Sequence, residues 1–194
     1  MGGEGPAPLG VDHVMIDNVE AATTVTLHLA ALGRTRIGFL GHEQGRQSQT
    51  SNVRLMGYQR GLELSGLPVD TSLLIASGAI SAQAAAAALG AALDTGLRID
   101  GLVCRDDLAA IGALRALAER GIAVPGDVAV TGWDDIAMAS FTHPTLTTIA
   151  ADTTALADTA LDLLEERIGG FEGLGRHLVV PHRLVIRESA PPAQ

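Results

Sequence analysis

Two pairs of adjacent carboxylates, Asp106-Asp107 and Asp134-Asp135, are the residues of this sequence best placed to do chemistry. Each pair follows a short apolar run, Gly101–Cys104 in the first case and Val128–Thr131 in the second. A four-residue apolar run without periodicity reads as a strand buried on both faces. Two neighbouring strands therefore finish on paired carboxylates at one sheet edge, and open parallel sheets take ligands at the carboxyl ends of their strands. A carboxylate there can hold two vicinal hydroxyls through charge-assisted hydrogen bonds. Each residue also has a plainer reading. Asp106 or Asp107 can accept the free amides at the start of the helix that follows, and Asp134 can bond its own backbone as a turn former.

Other chemistries lack their parts. His42, His143, His177 and His182 share no metal-ligand spacing, and the lone Cys104 lies in an apolar strand, so neither a metal nor a cofactor is expected. Ser48, Ser51 and Ser140 lack the G-x-S-x-G elbow of acyl transfer. The chain contains no Lys, so the glycines of Gly38-Phe-Leu-Gly41 are not a Walker loop. No catalytic constellation survives, and the chain does not read as an enzyme.

The elements that must position the carboxylates alternate along the chain. Val11–Ile16 reads as a strand, and Asp17-Asn18 caps a helix over Val19–Leu32 that Gly33 ends. Arg36–Leu40 is a strand, Gly41–Thr50 a polar loop, and a helix from Asn52 runs to a stop at Gly66. Leu73–Ala76 is a buried strand, and Ser81–Leu93 is rich enough in Ala to be helical on propensity alone. Leu108, Ile111, Leu114 and Leu117 set the helix after Asp107, and Gly121 and Pro125-Gly126-Asp127 turn the chain into the next strand. Asp152-Thr153-Thr154 caps a helix to Ile168, with a stripe of Leu156, Ala160, Leu163 and Ile168. A strand over His177–Val180 is interrupted by Pro181 and resumes over Arg183–Arg187, which suits an edge strand or a bulge. The alternation predicts an α/β protein with a doubly wound parallel sheet.

Composition narrows the function classes. The 194 residues carry a formal net charge of −9, every strongly basic residue is Arg, and no basic run occurs. A phosphate backbone repels such a chain, so autonomous nucleic-acid binding is not expected. The first nine residues lack the basic start and apolar core of a secretory signal, and no apolar run reaches the ~20 residues that span a bilayer. The expectation is a cytoplasmic chain with no membrane partner and a Gly/Pro-rich tail over residues 1–8.

The chain also resembles a known family. Cys104-Arg-Asp-Asp-Leu-Ala-Ala110, Gly121-Ile-Ala-Val-Pro-Gly-Asp-Val128, Gly132-Trp-Asp-Asp-Ile136 and Pro144-Thr-Leu-Thr-Thr-Ile149 stand in register over about fifty residues. They are similar to the effector domain of lactose/galactose-repressor-type transcription regulators, the LacI family. Val14–Asn18, His28–Phe39 and Arg54–Tyr58 fit as well, so the likeness covers roughly residues 9 to 188. It implies a periplasmic-binding-protein-like fold with a complete C-terminal lobe, residues 35–145 and 173–190, and a partial N-terminal lobe, residues 9–34 and 146–172. It implies ligand contacts from Arg54, which matches a cleft-facing Arg of the family, and from Asp134. Asp106 stands where the family more often has Asn, followed by the common Asp at 107, and both join the candidate set. Ile80 replaces a frequent aromatic ring, leaving any stacking to Trp133 or Phe141, and Trp133 points away from Asp134 and reads as packing.

The function implied by the resemblance is that of a domain sensing a small-molecule effector, a carbohydrate, and of a homodimer that meets operator DNA only through a headpiece absent from this chain. The two-fold contact would use Leu108–Ala118 and Met138–Thr142, with Ala109, Ala110, Ala113 and Met138 permitting close packing. The helices Val19–Leu32 and Asp152–Ile168 would both lack most of the sheet that covers them. Two other readings share the architecture. A periplasmic sugar-binding protein of a transporter would need a secretory signal, and a sugar-phosphate enzyme would need a phosphate loop or an acid/base pair.

Overall fold

The computed structural model describes residues 11–42 and 49–192; the expected tail over 1–8 and the middle of the polar loop lie outside them. A six-stranded sheet organises the chain, in the order β3 (Leu74–Ala76), β2 (Ile37–His42), β4 (Gly101–Cys104), β5 (Ala129–Trp133), β6 (Thr147–Ala151), β8 (His182–Val185). The first five are parallel and β8 runs antiparallel to β6. β2, β4 and β5 are apolar on both faces because helices cover both. Phe39, Val103 and Ala129 point to the side of α1 (Asn18–Ala31) and α2 (Gln49–Leu64). Leu40, Leu102, Cys104 and Val130 point to the side of α3 (Ala82–Asp94) and α4 (Asp107–Ala118). The doubly wound, mostly parallel architecture expected from the alternation is therefore present.

Acidic or hydroxyl side chains cap the starts of three of the helices. Asp17 accepts from Glu20 N, Ser81 from Ala84 N and Asp152 from Ala155 N. Helices α1 and α2 touch backbone to backbone at Gly57, whose absent Cβ would collide with Val19 O and stand 2.7 Å from Ala22 Cβ. Thr23 Oγ1 uses that approach to donate to Gly57 O at 3.1 Å.

A second, smaller layer consists of β1 (His13–Met15) paired in parallel with β7 (His177–Val179), and of α5 (Thr153–Ile168) beside β1. Its membership corrects the lobe boundaries expected above. Residues 18–31, assigned to the smaller lobe, form α1 and pack on the large sheet, with Ala21, Ala22, Val25 and Leu29 fully buried. Residues 147–151, also assigned there, form β6 inside the large sheet, whereas 177–179, assigned to the larger lobe, form β7 in the small one. The final stretch is thus two strands in two sheets, not one interrupted strand, and Pro181 lies where the chain passes between them. The expectation of an uncovered first helix is overturned by that burial. Helix α5 does expose Leu161, Leu164 and Ile168, at 57%, 54% and 78%.

The chain crosses between the layers after β1, after β6 and after β7. The crossings lie side by side: Val180 N donates to Met15 O at 2.8 Å and Asp152 N to Pro181 O at 3.0 Å.

Candidate functional site

Between the layers, at the carboxyl edge of the large sheet, lies a cavity of about 770 Å3. That size is ordinary for a small-molecule site. Its sheet end is formed by Asn18, Thr50, Arg54, Trp133 and Asp134, and its far wall by the apolar side of α5, with Leu156, Ala160 and Leu163. At the far end Asp12 is clamped by Arg167 and Arg176 at 2.9 and 3.2 Å, and those hydrogen bonds hold its carboxyl well below the usual carboxylate range.

Arg54 comes from the first turns of α2 and lies over the indole of Trp133, its guanidinium carbon 4.1 Å from the ring centroid. Nε donates to Asn18 Oδ1 at 2.9 Å, and Nη1 donates to the carbonyl of Arg105. Nη2 faces Asp134 Oδ1 at 3.8 Å, close enough for charge attraction and too long for a hydrogen bond. Burial makes the stacked guanidinium an effective cation–π partner, and Trp133 is only 2% exposed. Trp133 thus packs, as expected, and Arg54 covers its ring.

Asp134 is the carboxylate at the sheet end of the cavity. Its side chain is 51% exposed. Burial of the carboxyl raises its pKa; the Arg54 charge opposes the rise and the Asp106 charge adds to it. Its backbone is unusual for a non-glycine residue, with φ of 101° at Asp134 and 50° at Asp135. Two consecutive residues in this region cost energy and persist where neighbours over-determine them. The neighbours are visible. Asp134 N donates to Ile149 O at 2.9 Å, Ile136 N donates to Asp107 Oδ2 at 2.8 Å, and Arg187 Nη2 donates to Asp135 Oδ1 at 2.7 Å. The turn that presents Asp134 is held from β6, from α4 and from the chain beyond β8.

Asp107, expected among the ligand contacts, is instead this internal brace. It is 1% exposed, and its second oxygen accepts from Thr148 Oγ1 at 2.6 Å. The carboxylate fills the space that a Cβ at Gly132 would need, which accounts for the glycine at the end of β5. Burial pushes its carboxyl up to about 6, against the hydrogen bonds from Thr148 and Ile136, and the charge of Asp134 adds to the rise. Asp106 takes the helix-cap reading that its position in the sequence also allows. It is the cap of α4, accepting from Ala109 N at 2.7 Å, and its other oxygen takes Arg105 Nε at 3.1 Å, so both oxygens are engaged outside the cavity lining. Of the four candidates the structure therefore brings Arg54 and Asp134 together in the cavity and sets Asp106 and Asp107 behind it. Phe141 is 80% exposed and Ile80 65%, and neither lines the cavity. Sequence reasoning missed Arg187 and Thr148 as supports of the turn, and it read Asn18 only as part of a cap.

The fold and the cleft define a class. Residues 26–190 match the periplasmic binding protein-like domain, and the chain belongs to that family, in the form found in LacI-type transcription regulators. A chain from Sanguibacter keddieii assigned to the LacI family of transcriptional regulators superposes with a TM-score of 0.90 at 39% identity, over 97% of this chain and 72% of that one. The HTH-type transcriptional regulator CelR of Thermobifida fusca is 32% identical over 191 residues, which are 95% of this chain and 55% of CelR. A structure of a transcriptional regulator CelR–cellobiose complex matches with a TM-score of 0.87 at 31% identity, over 96% of this chain and 56% of that one. The chain spans about half the length of the curated relatives it matches.

Proposed function

We propose that this chain is the effector-binding part of a LacI-type transcription regulator and that its cleft takes a neutral carbohydrate. The observation that carries the reading is Asp134, a half-exposed carboxylate presented on a strained and triply held turn beside the Arg54–Trp133 stack. A carboxylate so placed accepts from paired hydroxyls and repels an anionic ligand, whereas Arg54 already gives two of its donor atoms to Asn18 and Arg105. The related CelR complex with cellobiose supports the carbohydrate class. Binding in the cleft would favour one setting of the two layers about their three crossings, a population shift that linked DNA-binding segments can read. Operator contact belongs to such a separate segment, since a net charge of −9 repels phosphates. The regulator's place of work is the cytoplasm, in keeping with the fact that no helix among the described residues is long and apolar enough to cross a membrane.

Calorimetric titration with neutral mono- and disaccharides, cellobiose first, tests the reading. Saturable binding of at least one is expected. Binding of sugar acids or sugar phosphates alone would contradict it.

Homodimerisation completes the proposal. The small residues Ala109, Ala110 and Ala113 of α4 are packed into the core and are at most 2% exposed, so they do not offer the two-fold contact expected of them. Leu108, Met138 and Phe141, exposed at 41%, 56% and 80%, are the apolar groups that remain on that side. The chain should sediment as a dimer at micromolar concentration, and Phe141→Glu should shift it to monomer. A parent chain that sediments as a monomer would remove this part of the account.

A further inference from the structure

Asn18 stands at the first crossing between the layers, where β1 passes into α1, and is 7% exposed. The helix does not need it as a cap, because Asp17 performs that task. A buried amide is kept where both its ends are satisfied, and here the two ends point in different directions. Nδ2 donates to Ile16 O at 3.3 Å, within the crossing itself. Oδ1 accepts from Arg54 Nε at 2.9 Å, within the cleft. With Nε held by Asn18 and Nη1 held by the Arg105 carbonyl at the end of β4, two edges of a planar fork are fixed. The guanidinium plane then has one orientation, and that orientation is the one stacked on Trp133.

We propose that Asn18 is a positioning residue for the cleft: it sets the Arg54 guanidinium on Trp133 and ties that setting to the crossing between the layers, so that a displacement of the crossing is felt at the ligand-facing edge of Arg54. A movement that carries Ile16 carries the Asn18 amide with it, and Arg54 follows through Nε. The inference concerns the cleft assigned above to a carbohydrate, but its test needs no ligand and fails or succeeds independently of that assignment.

Trp133 is the only tryptophan of the chain, so the emission of the folded chain reports on the ring that Arg54 covers. Arg54→Ala supplies the spectrum of the uncovered ring, expected to the red of the parent. Asn18→Ala should shift the emission the same way, to the position of Arg54→Ala. Asn18→Asp keeps an acceptor for Nε and loses the donor to Ile16 O, so it should retain the parent spectrum. A merely structural role would make the two variants behave alike, because the bond to Ile16 O is lost in both. Should Asn18→Ala fail to fold by circular dichroism, Asn18→Ser, compatible with a helix start and too short to reach Nε, takes its place. The proposal is overturned by an alanine or serine variant with the parent emission, by an Asp variant that shifts with them, or by an Arg54→Ala emission equal to the parent's.

Discussion

Asp107→Asn should make the folded chain more stable than the parent by about 3 kcal/mol above pH 6, with the gain vanishing towards pH 4. The sign follows from burial. The Asp107 carboxyl is pushed up to about 6 in the folded chain, against roughly 3.9 in an unfolded one. The folded chain therefore binds the extra proton between those values. Stability from this group is fully present below about pH 4 and is lost as the pH rises through about 6. Asparagine removes the charge and keeps the contacts, since its oxygen can accept from Ile136 N and its amide can donate to Thr148 Oγ1. Asp107→Ala removes the contacts too, and leaves two donors dry at roughly 1–3 kcal/mol each. At pH 4, where charge plays no part, the alanine variant should thus lie below the asparagine variant by roughly 2 kcal/mol or more. Denaturant midpoints of the three chains at pH 4, 5, 6 and 7 measure both effects. Parallel pH profiles for parent and Asp107→Asn would show that the buried acid carries no such penalty.

Asp134→Asn should weaken carbohydrate binding by about 2 kcal/mol, roughly 30-fold in Kd, without destabilising the fold. Asparagine is the informative replacement because it tolerates the left-handed backbone at φ 101°, where alanine would add strain to the loss of charge. The stability cost is small because the Arg54 contact spans 3.8 Å and Asp134 is half exposed. Calorimetry on parent and variant, with melting temperatures alongside, separates the two quantities. An unchanged Kd with a lowered melting temperature would make Asp134 a turn former rather than a ligand contact.

What the sequence disclosed was local. The apolar runs at 101–104 and 128–131 and the caps at Asp17 and Asp152 each depend on residues a few positions apart, and strands and caps form there, the second strand displaced to Ala129–Trp133. Sheet membership is not local. Thr147–Ala151 reads as a strand in either layer, and only the neighbours β5 and β8 decide which one takes it. The same limit divides the carboxylates. Asp106 and Asp107 are adjacent in sequence, yet the start of α4 keeps the first as the cap and turns the second inward to Thr148, 41 residues away. Arg187 meets Asp135 across 52 residues and Asn18 meets Arg54 across 36, so neither role leaves a mark in the spacing of nearby residues.

A structure of the chain with a bound neutral sugar decides whether Asp134 receives a carbohydrate in the cleft. The sugar should lie between the sheet edge and α5, with a pair of its hydroxyls within ~3.2 Å of the Asp134 carboxylate and Arg54 still stacked on Trp133. A sugar bound elsewhere on the chain, or one in the cleft that leaves Asp134 without a hydroxyl partner, would contradict that role.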